Sequence, residues 1–187
     1  MPPEWIVPAA RRLAELVGEH GPQTGFLGVN LLCPVLSEHG HADLAHALLN
    51  RTAPPSWRYQ VRRGATTVWE RWDGAGAPSM NSFNHYAFGS VGEWLYGGVA
   101  GIAQAPDSVA YRELVIRPLP GELTWARASY ESVRGRIAVS WERGGGDFHL
   151  AVTVPPGASA TVHLPDGQTH QVPSGDHTFR TTEETTA

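Results

Sequence analysis

Two carboxylates, a guanidinium and two indoles fall within five consecutive positions, Trp69-Glu70-Arg71-Trp72-Asp73. Indole faces stack on the apolar faces of sugar rings. Carboxylates accept hydroxyl hydrogen bonds or activate a water, so the combination suits a carbohydrate site. A Trp-rich packing interface with a Glu–Arg surface pair would have the same composition. Fifteen residues after Glu70 stands His85, within Asn81-Ser82-Phe83-Asn84-His85-Tyr86. Its position opens an apolar helical segment that Asn81, Ser82 or Asn84 can cap, and a lone histidine there is more often a cap or core partner than a catalyst. Other chemistry is thinner. Glu38-His39-Gly40-His41 with His46 has metal-ligating types but reads as a polar turn, so no metal site is expected. Cys33 lies among apolar residues and reads as packed rather than reactive. Glu93 reads as a surface or interhelical ion-pair partner, and Arg62 and Arg63 as residues on the solvent side of the Trp-Glu-Arg-Trp segment.

The elements that must position these groups follow two periods. Residues 1 to about 106 read as helical. Pro8 suits a first helical turn, followed by Leu13, Leu16 and Val17 up to Gly18 and Gly21. A second helix is expected over Gly28–Glu38 with a kink at Pro34, a third over Ala42–Arg51, and a fourth and longest over about Asn84–Ile102. After Pro106 the period becomes 2. Strands are expected over Tyr111–Arg117, Leu123–Val133, Val133–Trp141, Phe148–Val154 and Ala160–Leu164, with Gly144–Asp147 as a hairpin loop and Pro165-Asp166-Gly167 as a turn. Trp141 falls on the apolar side of its strand, whereas Trp125 is undecided. The polar stretch Thr181–Ala187 is expected to fray. Short alternating strands at this spacing indicate an antiparallel β-sandwich.

The 187 residues carry 41% hydrophobic and 17% charged side chains, a globular composition. Net charge is −4, and all 14 strong bases are arginines, scattered with no run longer than a pair. That distribution argues against nucleic-acid binding. No stretch has the length of apolar sequence that a membrane helix needs. The first residues lack a basic n-region and an apolar h-region, so a soluble chain without a secretory signal, cytoplasmic if expressed as such, is expected. One cysteine excludes an intrachain disulfide.

Several segments together resemble one family. These are Thr24-Gly25-Phe26-Leu27-Gly28, Leu36-Ser37-Glu38-His39-Gly40, Gly64 through Gly74, Met80 through Gly89, Val91-Gly92-Glu93-Trp94-Leu95-Tyr96 and Ala128-Ser129-Tyr130-Glu131-Ser132. In this order and spacing they are similar to the closing part of bacterial α-L-rhamnosidases, glycoside hydrolase family 78, over about Pro22 to Leu164. The resemblance implies an α+β multidomain arrangement: part of an (α/α)₆ six-hairpin toroid, about four helices, over residues 1–106, then an antiparallel β-sandwich over 107–187. It implies inverting cleavage of terminal α-L-rhamnose, with no redox or nucleotide cofactor. Glu70 matches the general base, which deprotonates a water on the ring face opposite the leaving group, its acid partner standing about 6.5–9.5 Å away. His85 matches a histidine that contacts the sugar. Trp69, Arg71, Trp72 and Asp73 are expected to shape the sugar site or hold Glu70.

The family's general acid belongs to an Asp-Glu-Arg-type motif upstream of these segments, and no such motif occurs in these 187 residues. The expectation is therefore a C-terminal rhamnosidase portion that holds the base but is inactive alone, with a rhamnosylated glycoside as substrate and the N-terminal part of the barrel as partner. The alternative is a non-catalytic carbohydrate-binding or barrel-completing subunit. The loop from Asp73 to Met80 is shorter than usual for the family and borders the site.

Overall fold

The computed structural model describes residues 2–74, 76, 78–79 and 81–182. They fall into two compact units that divide between Trp94 and Leu95.

The first unit is helical. Helix α1 spans Pro3–His20 and starts one turn earlier than Pro8 suggested, because Pro2 and Pro3 occupy the cap and first position. A missing N–H costs nothing there. Pro8 lies inside the helix. Helix α2, Val29–Glu38, buries Val29, Leu32, Cys33 and Leu36 and contains Pro34; α3, Ala42–Asn50, buries Ala45, His46 and Leu48. Each large apolar side chain removed from water contributes roughly 1.5–3 kcal/mol. Helix α4, Trp57–Arg62, was not foreseen. Its cap is Ser56, whose hydroxyl accepts the Tyr59 N–H at 3.0 Å and donates to the Arg51 carbonyl at 2.6 Å. A six-residue helix is too short to show a clear 3.6 period.

The long fourth helix of the sequence reading is broken into pieces. Helix α5 is Tyr86–Gly89 and α6 is Val91–Trp94, followed by a π-helical turn at Leu95–Ala100. Five glycines between Gly89 and Gly101 lower helix propensity enough for packing to choose the local geometry. Trp94 anchors α6 to α2 by donating its indole N–H to Ser37 Oγ at 2.9 Å, with the buried His46 ring edge-on to it at 5.0 Å. Cys33 is packed, as expected, at 2% exposure.

The second unit is a β-sandwich of eight strands: β1 Ile102–Gln104, β2 Glu113–Ile116, β3 Trp125–Ser132, β4 Gly135–Gly144, β5 Asp147–Val154, β6 Ser159–His163, β7 Thr169–Val172 and β8 Gly175–Thr182. Strand β1 lies inside the stretch that read as helical. One sheet runs β1-β2-β6-β7, the other β3-β4-β5-β8. The second sheet is antiparallel throughout, while β2 and β6 in the first pair in parallel, from Glu113–Ser159 to Ile116–Val162. The core is filled by Leu114, Ile116 and Val162 from one sheet and Ile137, Val139, Trp141, Phe148, Leu150 and Val152 from the other. Trp141 is core, donating its indole N–H to the Val99 carbonyl at 2.9 Å.

The loop between β4 and β5 is Gly145-Gly146, with φ of 63° and 87°. Two consecutive left-handed residues give the turn twist that two-residue hairpins need. Val133, expected on the apolar side, is instead exposed, because Ser132 pairs with Gly135 and leaves Val133 and Arg134 as the hairpin loop. Thr181 and Thr182 complete β8 rather than fray. Thr181 pairs with Phe148 and is buried, its hydroxyl donating to the Asp166 carboxylate. Residues 183–187 of the expected frayed tail lie outside the described residues.

Candidate active site

The Trp-Glu-Arg-Trp segment has no regular secondary structure, so its shape comes from partners. Two extended stretches are pinned together: the Glu70 N–H donates to the Ser82 carbonyl at 3.0 Å, and the His85 N–H to the Val68 carbonyl at 2.8 Å. The Thr67 hydroxyl adds a bond to the Phe83 carbonyl. From the other side comes Gln60 of α4, 2% exposed. Its Oε1 accepts the Trp69 N–H at 3.0 Å, while its Nε2 donates to the carbonyls of Trp69 at 3.3 Å and Arg71 at 3.2 Å. One side-chain amide thus satisfies backbone groups on both sides of Glu70. Sequence reasoning passed over Gln60; the available signal was a polar residue on the buried side of a short amphipathic turn.

Glu70 is half-buried. Its Oε2 accepts the backbone N–H groups of Asn81 at 3.1 Å and Ser82 at 2.8 Å. Among the described residues both bonds fall on that one oxygen. The carboxylate is therefore oriented by backbone, and Oε1 remains available to a water or hydroxyl.

His85 occupies the N-cap position of α5 itself, with no side-chain cap bond. Asn81, Ser82 and Asn84 do not cap this helix; Ser82 Oγ accepts the Asn84 N–H at 3.2 Å instead. The imidazole stacks on Phe26 at 4.3 Å and on Tyr86 at 5.7 Å. Phe88 lies edge-on to Phe26 at 5.4 Å and against Trp72 at 4.2 Å, and Trp72 meets Trp57 edge-on at 5.1 Å. The Trp57 indole N–H donates to the Phe88 carbonyl at 2.7 Å. Within this aromatic cluster, Trp72 Nε1 and His85 Nδ1 are buried and have no hydrogen-bond partner among the described residues. Buried polar atoms in folded proteins are overwhelmingly paired, so such a group is notable.

The remaining expected site residues divide. Trp69 is buried, its ring edge-on to Phe83 at 5.9 Å. Arg71 and Asp73 pair with each other at 3.1 and 3.2 Å on the exposed side. The Arg71 hydrogen bond holds the Asp73 carboxyl below its ordinary value, and the same bond raises the Arg71 guanidinium. Of the Asp73–Met80 loop, Ala75, Ala77 and Met80 lie outside the described residues. Glu38, His39, His41 and His46 do not converge, and among the described residues no group of three or more His, Cys, Asp or Glu side chains is placed to hold a metal. No described helix is long and apolar enough to cross a membrane.

The helical unit is followed along the chain by a β-sandwich, and Glu70, held by two backbone N–H groups, lies on the same segment as Trp72 of the aromatic cluster. Comparison gives the family. Residues 1–99 match the bacterial α-L-rhamnosidase six-hairpin glycosidase domain, and residues 101–179 the bacterial α-L-rhamnosidase C-terminal domain. The chain belongs to the bacterial α-L-rhamnosidase family, and its helical unit corresponds to part of that family's helical toroid. An α-L-rhamnosidase of Streptomyces avermitilis is 46% identical over 180 residues, covering 91% of this chain and 17% of the relative. One from Formosa agariphila is 38% identical over 180 residues, covering 91% and 19%. The crystal structure of the Streptomyces avermitilis α-L-rhamnosidase complexed with L-rhamnose superposes with a TM-score of 0.91 at 41% identity, covering 97% of this chain and 20% of that one. The Aspergillus terreus α-L-rhamnosidase gives 0.89 at 38%, covering 95% and 22%. The chain thus spans about a fifth of the length of these relatives and corresponds to their C-terminal part.

Proposed function

We propose that this chain supplies the base half of an inverting α-L-rhamnosidase site, with a terminal α-L-rhamnoside as substrate and the remainder of a six-hairpin barrel as its partner. The observation that carries the reading is the Glu70 carboxylate, held through Oε2 by the Asn81 and Ser82 N–H groups. An inverting hydrolase needs one carboxylate fixed beside a water, and Oε1 is the atom left to take that water's proton. The proton moves from water to Oε1 as the water oxygen bonds to the anomeric carbon. The glycosidic bond breaks on the opposite face, where an acid outside this chain protonates the leaving oxygen. His85 and Trp72, each half-buried, border the sugar with the ring surface they leave exposed. Arg71 and Asp73, paired on the exposed side, support the segment from outside. Exposed Trp5, Val7, Leu27 and Leu31 on the helical unit are apolar surface of the kind that further helices cover.

The test is hydrolysis of p-nitrophenyl α-L-rhamnoside by the chain alone and by the chain mixed with, or fused to, the N-terminal portion of the Streptomyces avermitilis relative. The chain alone should give no turnover, since an absent acid–base partner typically costs ~10²–10⁴-fold in rate and sugar contacts are absent too. The completed barrel should turn over, and Glu70→Gln in it should abolish turnover with the fold intact. Near-native activity of that variant would remove Glu70 as base.

A further inference from the structure

We infer that the solvent face of the β3-β4-β5-β8 sheet carries a second carbohydrate site, for a neutral saccharide, built around Trp125. Strand register alone sets up the platform. Trp125 is opposite Glu142, Glu142 opposite His149, and His149 opposite Arg180, so one row of four side chains crosses the sheet on its outer face. Directly opposed residues share a face and stand within reach of one another. Trp125 is 62% exposed, whereas Trp141 of the same sheet is 1% exposed in the core. The ring carries Arg127 over one face and leaves the rest of its flat apolar surface in solvent.

The surroundings supply hydroxyl partners and room. Arg127, two residues along β3, carries its guanidinium 5.9 Å from the Trp125 ring centroid. Asp147 is held by Arg180 at 2.7 Å. The next row across the sheet, Arg127, Ser140, Ala151 and Thr178, is small in its central strands. The result is a groove of about 640 Å³ lined by Trp125, Arg127, Glu142, Asp147 and His149 among others. A second groove of about 440 Å³, over Ser140 and Ala151, shares Arg127 with it. Volumes of this order suit a ligand of a few rings.

Charge decides the ligand class. On this face Arg127 and Arg180 are balanced by Glu142 and Asp147. An anionic polymer would meet two carboxylates, and a cation two guanidinium groups. A neutral saccharide meets acceptors and donors on alternate sides of an indole face, which matches its alternating hydroxyl and C–H surfaces. This site lies wholly within the sandwich unit and stands whether or not Glu70 is the base of a rhamnosidase.

The test follows indole N–H resonances of the ¹⁵N-labelled 187-residue chain during titration with methyl α-L-rhamnoside, methyl β-D-galactoside and methyl β-D-glucoside. At least one of them should shift the Trp125 indole resonance with a dissociation constant in the millimolar range. Trp125→Ala should weaken that binding about tenfold or more, Trp125→Phe by about two- to fourfold, with unchanged far-UV circular dichroism. Glu142→Ala, which leaves the indole in place, should weaken it severalfold and decides the matter should Trp125→Ala perturb the fold. Binding should be unaffected between roughly 0.05 and 0.5 M NaCl, because screening acts on charged ligands. No shift at Trp125 with any of the three glycosides overturns the inference and leaves the row as a protein-docking face. So does binding that survives Trp125→Ala, or affinity that collapses with salt.

Discussion

Gln60 ties the backbone on both sides of Glu70, and its removal shows how much the segment depends on one side chain. Gln60→Leu keeps the approximate volume and deletes all three hydrogen bonds. The Trp69 N–H, in a residue 7% exposed, then has no acceptor. Leaving a buried donor unsatisfied costs about 1–3 kcal/mol. The Trp69 carbonyl loses its side-chain bond as well, while the half-exposed Arg71 carbonyl recovers water at little cost. The sum is a destabilisation of about 2–4 kcal/mol. With an m-value near 1.3 kcal/mol/M, the urea midpoint of the helical unit falls by about 1.5–3 M.

Hydrogen-exchange mass spectrometry resolves the two units and is the assay of choice. Peptides covering 57–74 and 81–89 should lose protection, and peptides from β4 and β5 should not. Gln60→Glu adds a pH signature. A carboxylate there places a third acceptor against two carbonyls, so burial and repulsion raise its folded pKa. Such a group destabilises only where the unfolded chain would be ionised. The variant should therefore be weakened at pH 7 and recover toward pH 4, below the ordinary glutamate value of about 4.3. A Gln60→Leu stability within about 0.5 kcal/mol of the parent would refute the clamp, that being the range of unremarkable surface substitutions. An unchanged exchange pattern at 81–89 would separately refute the coupling between the two extended stretches.

The Asp73 carboxyl should titrate below its ordinary value by carbonyl ¹³C NMR, and Arg71→Gln should move the midpoint upward, since the Arg71 hydrogen bond is the main cause. Any stability from this pair is present above the unfolded pKa and lost as pH falls through the lower folded one. Cys33, buried and with its thiol pushed up to about 12, should resist iodoacetamide at pH 8 in the native chain and react once urea unfolds it; fast native alkylation would contradict the packing of α2. Gly101→Ala should destabilise the sandwich by more than about 2 kcal/mol in thermal denaturation. Its φ is +84°, and a Cβ would stand 2.4 Å from the Pro118 nitrogen. Both penalties act through backbone, which has no side chain to move aside.

Local patterns determined much of this protein. Apolar spacing at 3.6 located α2 and α3, and period 2 located β2 to β6, because each period is written in neighbours a few residues apart. The left-handed Gly145-Gly146 hairpin was legible for the same reason. Strands β7 and β8 were not, since Thr169–Val172 and Gly175–Thr182 carry few apolar residues and are held by pairing rather than burial. By residue type alone the motifs around Glu70 and His85 suited a carbohydrate site or a Trp-rich packing interface, and only the resemblance to the rhamnosidase family favoured the first.

Tertiary structure decided how those residues are used. Type and spacing could not tell that Asn81 and Ser82 offer backbone N–H groups to Glu70 rather than caps to a helix. Nor could they tell that Gln60 holds the segment, that Trp69 packs while Trp72 borders the aromatic cluster, or that Trp125 faces water while Trp141 fills the core. These outcomes rest on contacts between residues 9 to 42 positions apart. A local period records which side of an element is apolar; which distant backbone group meets a given side chain is fixed only when the chain has closed around it.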